Sequence, residues 1–159
     1  MKTCSRKNAG GWRAIAGALL THFAIRNYAV FFEESKSLTV PGQCQKLVRS
    51  GSGFKSVQSY TIKIRAIFLD DPFAITAILA HELCHVIEAR HLAACETDPL
   101  PEGKALTELE RTVDLLVFLF QLGEFQLRVA RESHLSLGYF NQEMFERMYV
   151  ILERRRNRR

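Results

Sequence analysis

P-F-A-I-T-A-I-L-A-H-E-L-C-H-V-I-E-A-R-H, residues 72–91, is the stretch on which the fold of this chain turns. Asp70 and Asp71 come just before Pro72. Acidic capping residues followed by proline end a strand and open a helix, so the stretch is expected to be helical. Within it, His81-Glu82-Leu83-Cys84-His85 has the pattern H-E-x-x-H. Two histidines four apart sit about 40° from each other on a helix, so both imidazoles can reach one ion. Zinc suits such a pair, since it takes imidazole nitrogen at about 2.0–2.1 Å in tetrahedral geometry. Glu82 is displaced around the helix, where it can face water at the ion's open position and take its proton. The flanks Ile78-Leu79-Ala80, Leu83-Cys84 and Val86-Ile87 carry no charge. A polar triplet in an apolar surround is what a buried metal site requires, and a surface helix would carry charges there. Set against this is the plain reading of two histidines that hold no metal.

Upstream, residues 60–69 alternate Ile62, Ile64, Ala66 and Phe68 with Thr61, Lys63, Arg65 and Ile67. This period of two predicts a half-buried edge strand directly before the motif helix. Residues 28–33 (Y-A-V-F-F-E) are a further strand candidate. Residues 34–58 hold Pro41, Gly42, Gly51 and Gly53 among several serines, so they read as loop with a short strand at 38–40. Near the N-terminus Trp12, Ile15, Ala16, Leu19, Leu20 and Phe23 recur at helical spacing, which predicts an amphipathic helix over residues 11–25. His22 and Arg26 interrupt it well short of the roughly 20 apolar residues of a membrane span. Its basic, apolar start imitates a targeting signal, but the stripe is that of a helix docked on a core.

Downstream, residues 96–103 with Pro99 and Pro101 form a turn-rich linker. A second long helix is expected over 104–132, then an interruption at Gly138 and a last helix over 141–154. The sum is an α+β fold in a single domain, residues 1–159: N-terminal helix, small sheet with an edge strand, motif helix, a glutamate-bearing helix and a C-terminal helix. Residues 1–10 are expected to be flexible and residues 154–159 to form a basic tail.

The composition, 47% hydrophobic and 25% charged, is that of a globular chain. Cys4, Cys44, Cys84 and Cys95 form no C-x-x-C pair, which suits a reducing, cytoplasmic compartment with inert thiols. His91 and Cys95 are also four apart, but two ligands make a weak signal. The net charge of +5 is matched by Arg154, Arg155, Arg156, Arg158 and Arg159, leaving a neutral body. A nucleic-acid partner would therefore have to be held by the tail alone, and a solvated end is the simpler expectation.

The uncharged-flanked H-E-x-x-H of residues 81–85, with a strand before its helix, resembles the zincin metallopeptidases over residues 60–130. That resemblance implies an edge strand that holds extended peptide substrate, and a third metal ligand further along the chain. Two patterns compete for it. Residues 81–91 read H-E-x-x-H-x-x-E-x-x-H, which sets His91 where metzincins carry their third histidine. Those proteins have a glycine at the position of Glu88, where it lets the backbone turn. Without it the helix continues and leaves His91 about 80° from His81 and about 120° from His85. Glu110-Arg111-Thr112-Val113-Asp114 instead matches the E-x-x-x-D of the gluzincins. In that family the glutamate is the third ligand and the aspartate orients a ligand histidine. Glu108 and Asp114 remain alternatives to Glu110 at this point. Two carboxylates beside Val113, Leu116, Val117 and Phe120 call for a cation with its histidines nearby.

Thr112-Val113-Asp114-Leu115, Gly123 and Leu137-Gly138-Tyr139-Phe140 also resemble small uncharacterised bacterial H-E-x-x-H proteins. In several zincins a tyrosine or histidine donates to the oxyanion, which implies that role for Tyr139, though such a tyrosine is more commonly core. The resemblance implies zinc-dependent peptide-bond hydrolysis of a peptide or protein substrate, with His81, His85 and Glu110 holding Zn2+ and Glu82 as general base. A metal-binding but non-hydrolytic protein-interaction module with the same fold is the alternative.

Overall fold

The computed structural model describes residues 11–26, 29–48, 58–92, 103–132 and 141–156, with 47, 48, 58, 90–92 and 156 described by backbone alone. The elements run α1 (Gly11–His22), β1 (Ala29–Ser35), β2 (Gly42–Val48), β3 (Gln58–Arg65), α2 (Pro72–Leu92), α3 (Lys104–Leu119), α4 (Gly123–Glu132) and α5 (Gln142–Arg156). The fold is α+β: an N-terminal helix, a three-stranded mixed sheet and four further helices.

The motif helix α2 is the centre of the molecule. Asp71 caps it, its Oδ1 accepting from the N–H groups of Phe73 at 2.9 Å and Ala74 at 3.1 Å, with Pro72 in the first turn. From Ala74 to Ile87 every residue except His85 is buried. A helix apolar on all sides has no solvent face to offer and must be enclosed. The stretch Pro72–Ala89 has the length and hydropathy of a membrane span, yet 72% of it is buried inside the fold. It is wrapped by α1, α3, α4 and the sheet.

β3 is the central strand, parallel to β1 on one side (Phe32↔Ile62) and antiparallel to β2 on the other (Cys44↔Ile62). The expected edge strand before the motif helix is thus an interior one, and it stops at Arg65. Ala66–Phe68 is a 3-10 turn, and Ile67 is exposed. The alternation in this strand is real but shallow. Ile62 and Ile64 are fully buried and Lys63 and Arg65 half-buried, while Ser59 and Thr61 are also enclosed. The edge strand beside α2 is β2, in a segment expected to be loop. Gln43, Gln45 and Lys46 have little intrinsic strand preference, and only pairing with β3 makes them a strand. The short strand expected at 38–40 does not form; Leu38 is irregular, Thr39 and Val40 lie in bends, and Val40 is exposed.

The N-terminal stripe behaves as expected, with Trp12, Ala16, Leu19 and Phe23 buried and Ile15 and Leu20 packed against the same core. The helix ends at His22 rather than Ile25. Ala24 takes φ 52°, and Ile25 and Ala24 donate to the carbonyls of Leu20 and Thr21, closing a Schellman turn. The same device splits the expected 104–132 helix in two. Gln121 has φ 64°, with Leu122 donating to Val117 and Gln121 to Phe118. A left-handed non-glycine residue costs roughly 1–2 kcal/mol. Both turns meet around one aromatic contact, the edge-to-face pair of Phe23 and Phe120, where burial of a Phe side chain is worth about 1.5–3 kcal/mol. A Cβ at Gly123 would overlap the Phe118 ring, so the glycine serves close packing at the start of α4. α5 begins at the Asn141 cap and packs Phe145 on Phe118 and Leu127. It continues through 154–156, so the first arginines of the expected tail are helical; 157–159 and 1–10 lie outside the described residues.

Candidate metal centre

Helices α2 and α3 bring five side chains of the sequence reading into one cluster. His81, Glu82 and His85 come from the buried middle of α2, and Glu110 and Asp114 from one face of α3, four residues apart. His81 Nε2 lies 3.2 Å from Glu110 Oε2, and His85 Nε2 lies 3.5 Å from Glu110 Oε1. One ligating atom from each of the three residues falls within 4.8 Å of the other two. The other ring nitrogen of His81, Nδ1, is 3.1 Å from Asp114 Oδ1, and Asp114 is fully buried. The two imidazoles meet edge to face, centroids 5.0 Å apart.

This donor set could hold one cation. Ligands about 2.0–2.1 Å from a tetrahedral centre stand roughly 3.3–3.4 Å from each other, and the two histidine nitrogens lie 3.2 and 3.5 Å from separate oxygens of Glu110. Two neutral nitrogens and one anionic oxygen also form the three-ligand set of sites that keep a fourth position open. A carboxylate on the far nitrogen of a ligand histidine fixes its tautomer and raises its basicity, and Asp114 stands where such a group acts on His81.

No protein-family model, curated protein or solved structure matches the chain. The residues themselves therefore carry the reading.

Electrostatics without an ion point the same way. Burial disfavours a charged His81, but the hydrogen bonds to Asp114 and Glu110 and the negative charges of Glu82 and Asp114 outweigh it and lift the imidazole to about 10. Burial likewise works against an ionised Glu110, yet bonds from His81 and His85 hold its carboxyl down at about 2. A proton on His81 thus stands in for a cation between two carboxylates. A metal must displace it, so the expected result is release of about one proton per ion bound near neutral pH. Affinity is then expected to rise about tenfold per pH unit between pH 6 and 8, since Glu110 is ionised throughout that window. Calorimetry in buffers of differing ionisation enthalpy measures the release; a proton count near zero would contradict it.

Glu82 is buried beside the cluster. Burial pushes its carboxyl up, His81 and His85 pull it down, Glu110 raises it again, and the nearby Cys44 N–H lowers it. Cys44 and Gly42 on β2 are the neighbours that the sequence reading missed, because Pro41-Gly42 reads locally as a loop. Burial, helped by the Glu82 charge, pushes the Cys44 thiol up to about 12, and burial with Asp114 raises Cys84 as well. Both thiols stay protonated, as expected of inert cysteines.

Among the other candidates, Glu108 is exposed and stands outside the cluster. The α2 backbone continues past Glu88 to Leu92 without the turn that a metzincin-like third histidine needs. The side chain of His91, together with Tyr139, Cys4 and Cys95, lies outside the described residues.

Proposed function

We propose that this chain is a zinc-dependent hydrolase of peptide bonds, with a zincin-like fold of the gluzincin type. The observation that carries the reading is the convergence of His81, His85 and Glu110 within 4.8 Å on two helices. Those three residues would hold the ion, and Asp114 would orient His81. Bound there, zinc supplies Lewis acidity toward a carbonyl and brings the pKa of a water toward about 7. Glu82 would act as general base, accepting a proton from a water in the site and returning it to the leaving amine. Burial supports this role, because it pushes the carboxyl up from its ordinary range and so makes it a stronger base than a solvated glutamate.

Protein purified without chelator is expected to contain about one zinc per chain, measured by atomic emission. A preparation that holds no zinc and takes none up on dialysis against it would remove the basis of the proposal.

A further inference from the structure

Strand β2 meets Glu82 in two ways that concern no metal ligand. Arg65 donates to the Pro41 carbonyl at 3.0 Å, and the register pairs Gln43 with Lys63 and Cys44 with Ile62. Bonded and non-bonded positions alternate along an antiparallel pair, so the odd-numbered residues of β2 make the ladder bonds. The N–H of Cys44 therefore points away from β3, along the outer edge of the sheet. There it lies close enough to the Glu82 carboxylate to stabilise its charge. A buried N–H without an acceptor costs about 1–3 kcal/mol, and a carboxylate is a stronger acceptor than a neutral group. The second contact is steric. A Cβ at Gly42 would lie 2.7 Å from Glu82 Oε1, 2.7 Å from Ile78 Cγ2 and 2.9 Å from Glu82 Cγ. Ile78 and Glu82 are four apart and form one ridge of α2, and only a residue without a side chain lets the strand lie against that ridge.

We infer that the Gly42–Cys44 backbone is the positioning element for Glu82: the absent side chain at 42 leaves room for the carboxylate, and the Cys44 N–H sets its direction. The catalytic consequence rests on the reading of Glu82 as general base, whereas the geometry does not. A carboxylate on a flexible two-carbon stem has several rotamers, and a general base works only when aimed. A misplacement of about 1 Å can cost about a hundredfold in rate. Two constraints from one strand remove that freedom, and they come from a segment distant in sequence from the motif.

The test is made on the zinc-loaded protein, by NMR and by kinetics. The Cys44 amide proton is expected to move upfield in Glu82→Ala, which removes the carboxylate beside it. The side-chain carboxyl carbon of Glu82, assigned by its disappearance in Glu82→Gln, is expected to shift in Gly42→Ala. It should shift too in Cys44→Pro, which deletes the N–H at an outward-facing edge position where proline costs no ladder bond. Both variants are expected to lower kcat about ten- to a hundredfold while KM and zinc affinity hold. A Cys44 amide that ignores Glu82→Ala, or a Glu82 carboxyl that ignores both β2 variants, overturns the inference. So does wild-type kcat in both β2 variants. If Gly42→Ala fails to fold, Cys44→Pro and Glu82→Ala decide the matter. If the wild-type protein hydrolyses no peptide, the hydrolase reading falls while the two resonances still decide the positioning.

Discussion

Glu82→Gln is expected to lower peptide hydrolysis by at least about a hundredfold while zinc stays bound at its wild-type stoichiometry. The substitution is close to isosteric and keeps an oxygen beside the Cys44 N–H, so neither packing on β2 nor the three candidate metal-binding side chains are disturbed. What disappears is the capacity to take a proton, and general-base contributions begin at about a hundredfold. Two features make Glu82 the group at which that loss falls. It lies beside both imidazoles, which act on its charge, yet forms no ion pair with either ring among the described residues, unlike Glu110 and Asp114. Burial also raises its carboxyl, so its basicity is greater than that of a solvated glutamate. Turnover of a peptide-library substrate, measured beside zinc content on the same sample, checks the result. Unchanged turnover with zinc in place would remove Glu82 from the mechanism.

Glu110→Ala is expected to weaken zinc binding by more than about a hundredfold, beyond the range typical of groups that only support a ligand. Among the described residues Glu110 bridges both histidines, with a separate oxygen toward each. Without it two neutral imidazoles face the ion with no anionic partner. Asp114→Ala is expected to cost less, about 10–100-fold, because Asp114 acts on the far nitrogen of His81 rather than on the ion. It is fully buried, so its thermal stability must be followed alongside to separate loss of fold from loss of metal. His91→Ala is expected to change little, since α2 runs straight past Glu88. Competition with a chromophoric chelator ranks the three variants. Loss of metal in His91→Ala with retention in Glu110→Ala would reverse the assignment and favour the metzincin-like pattern.

What could be read from the residues alone was whatever depends on short spacing. The H-E-x-x-H helix, its Asp71-Pro72 start and the Trp12–Phe23 stripe are local patterns of a single element, and they appear where the periodicity puts them. The Glu110 and Asp114 pair was legible for the same reason, since two carboxylates four apart share a helix face. Element ends were less legible. Ala24 and Gln121 close their helices in left-handed geometry without the glycine that normally marks such a turn, so a single helix over 104–132 was the natural expectation.

The sequence by itself determined that two imidazoles and a glutamate share one turn of a helix too apolar to face water. It also determined that a second helix carries carboxylates at matching spacing, because side-chain direction along a helix follows from residue number. Only the tertiary structure decided which strand borders the site. β2 is a strand through its bonds to β3, and neither Gln43 nor Lys46 announces it. Only the tertiary structure, too, set the Glu110 oxygens 3.2 and 3.5 Å from the two imidazoles and brought Gly42 against Glu82. Those distances depend on how separate elements pack, and packing is fixed by the shapes of buried side chains far apart in the chain rather than by any spacing within it.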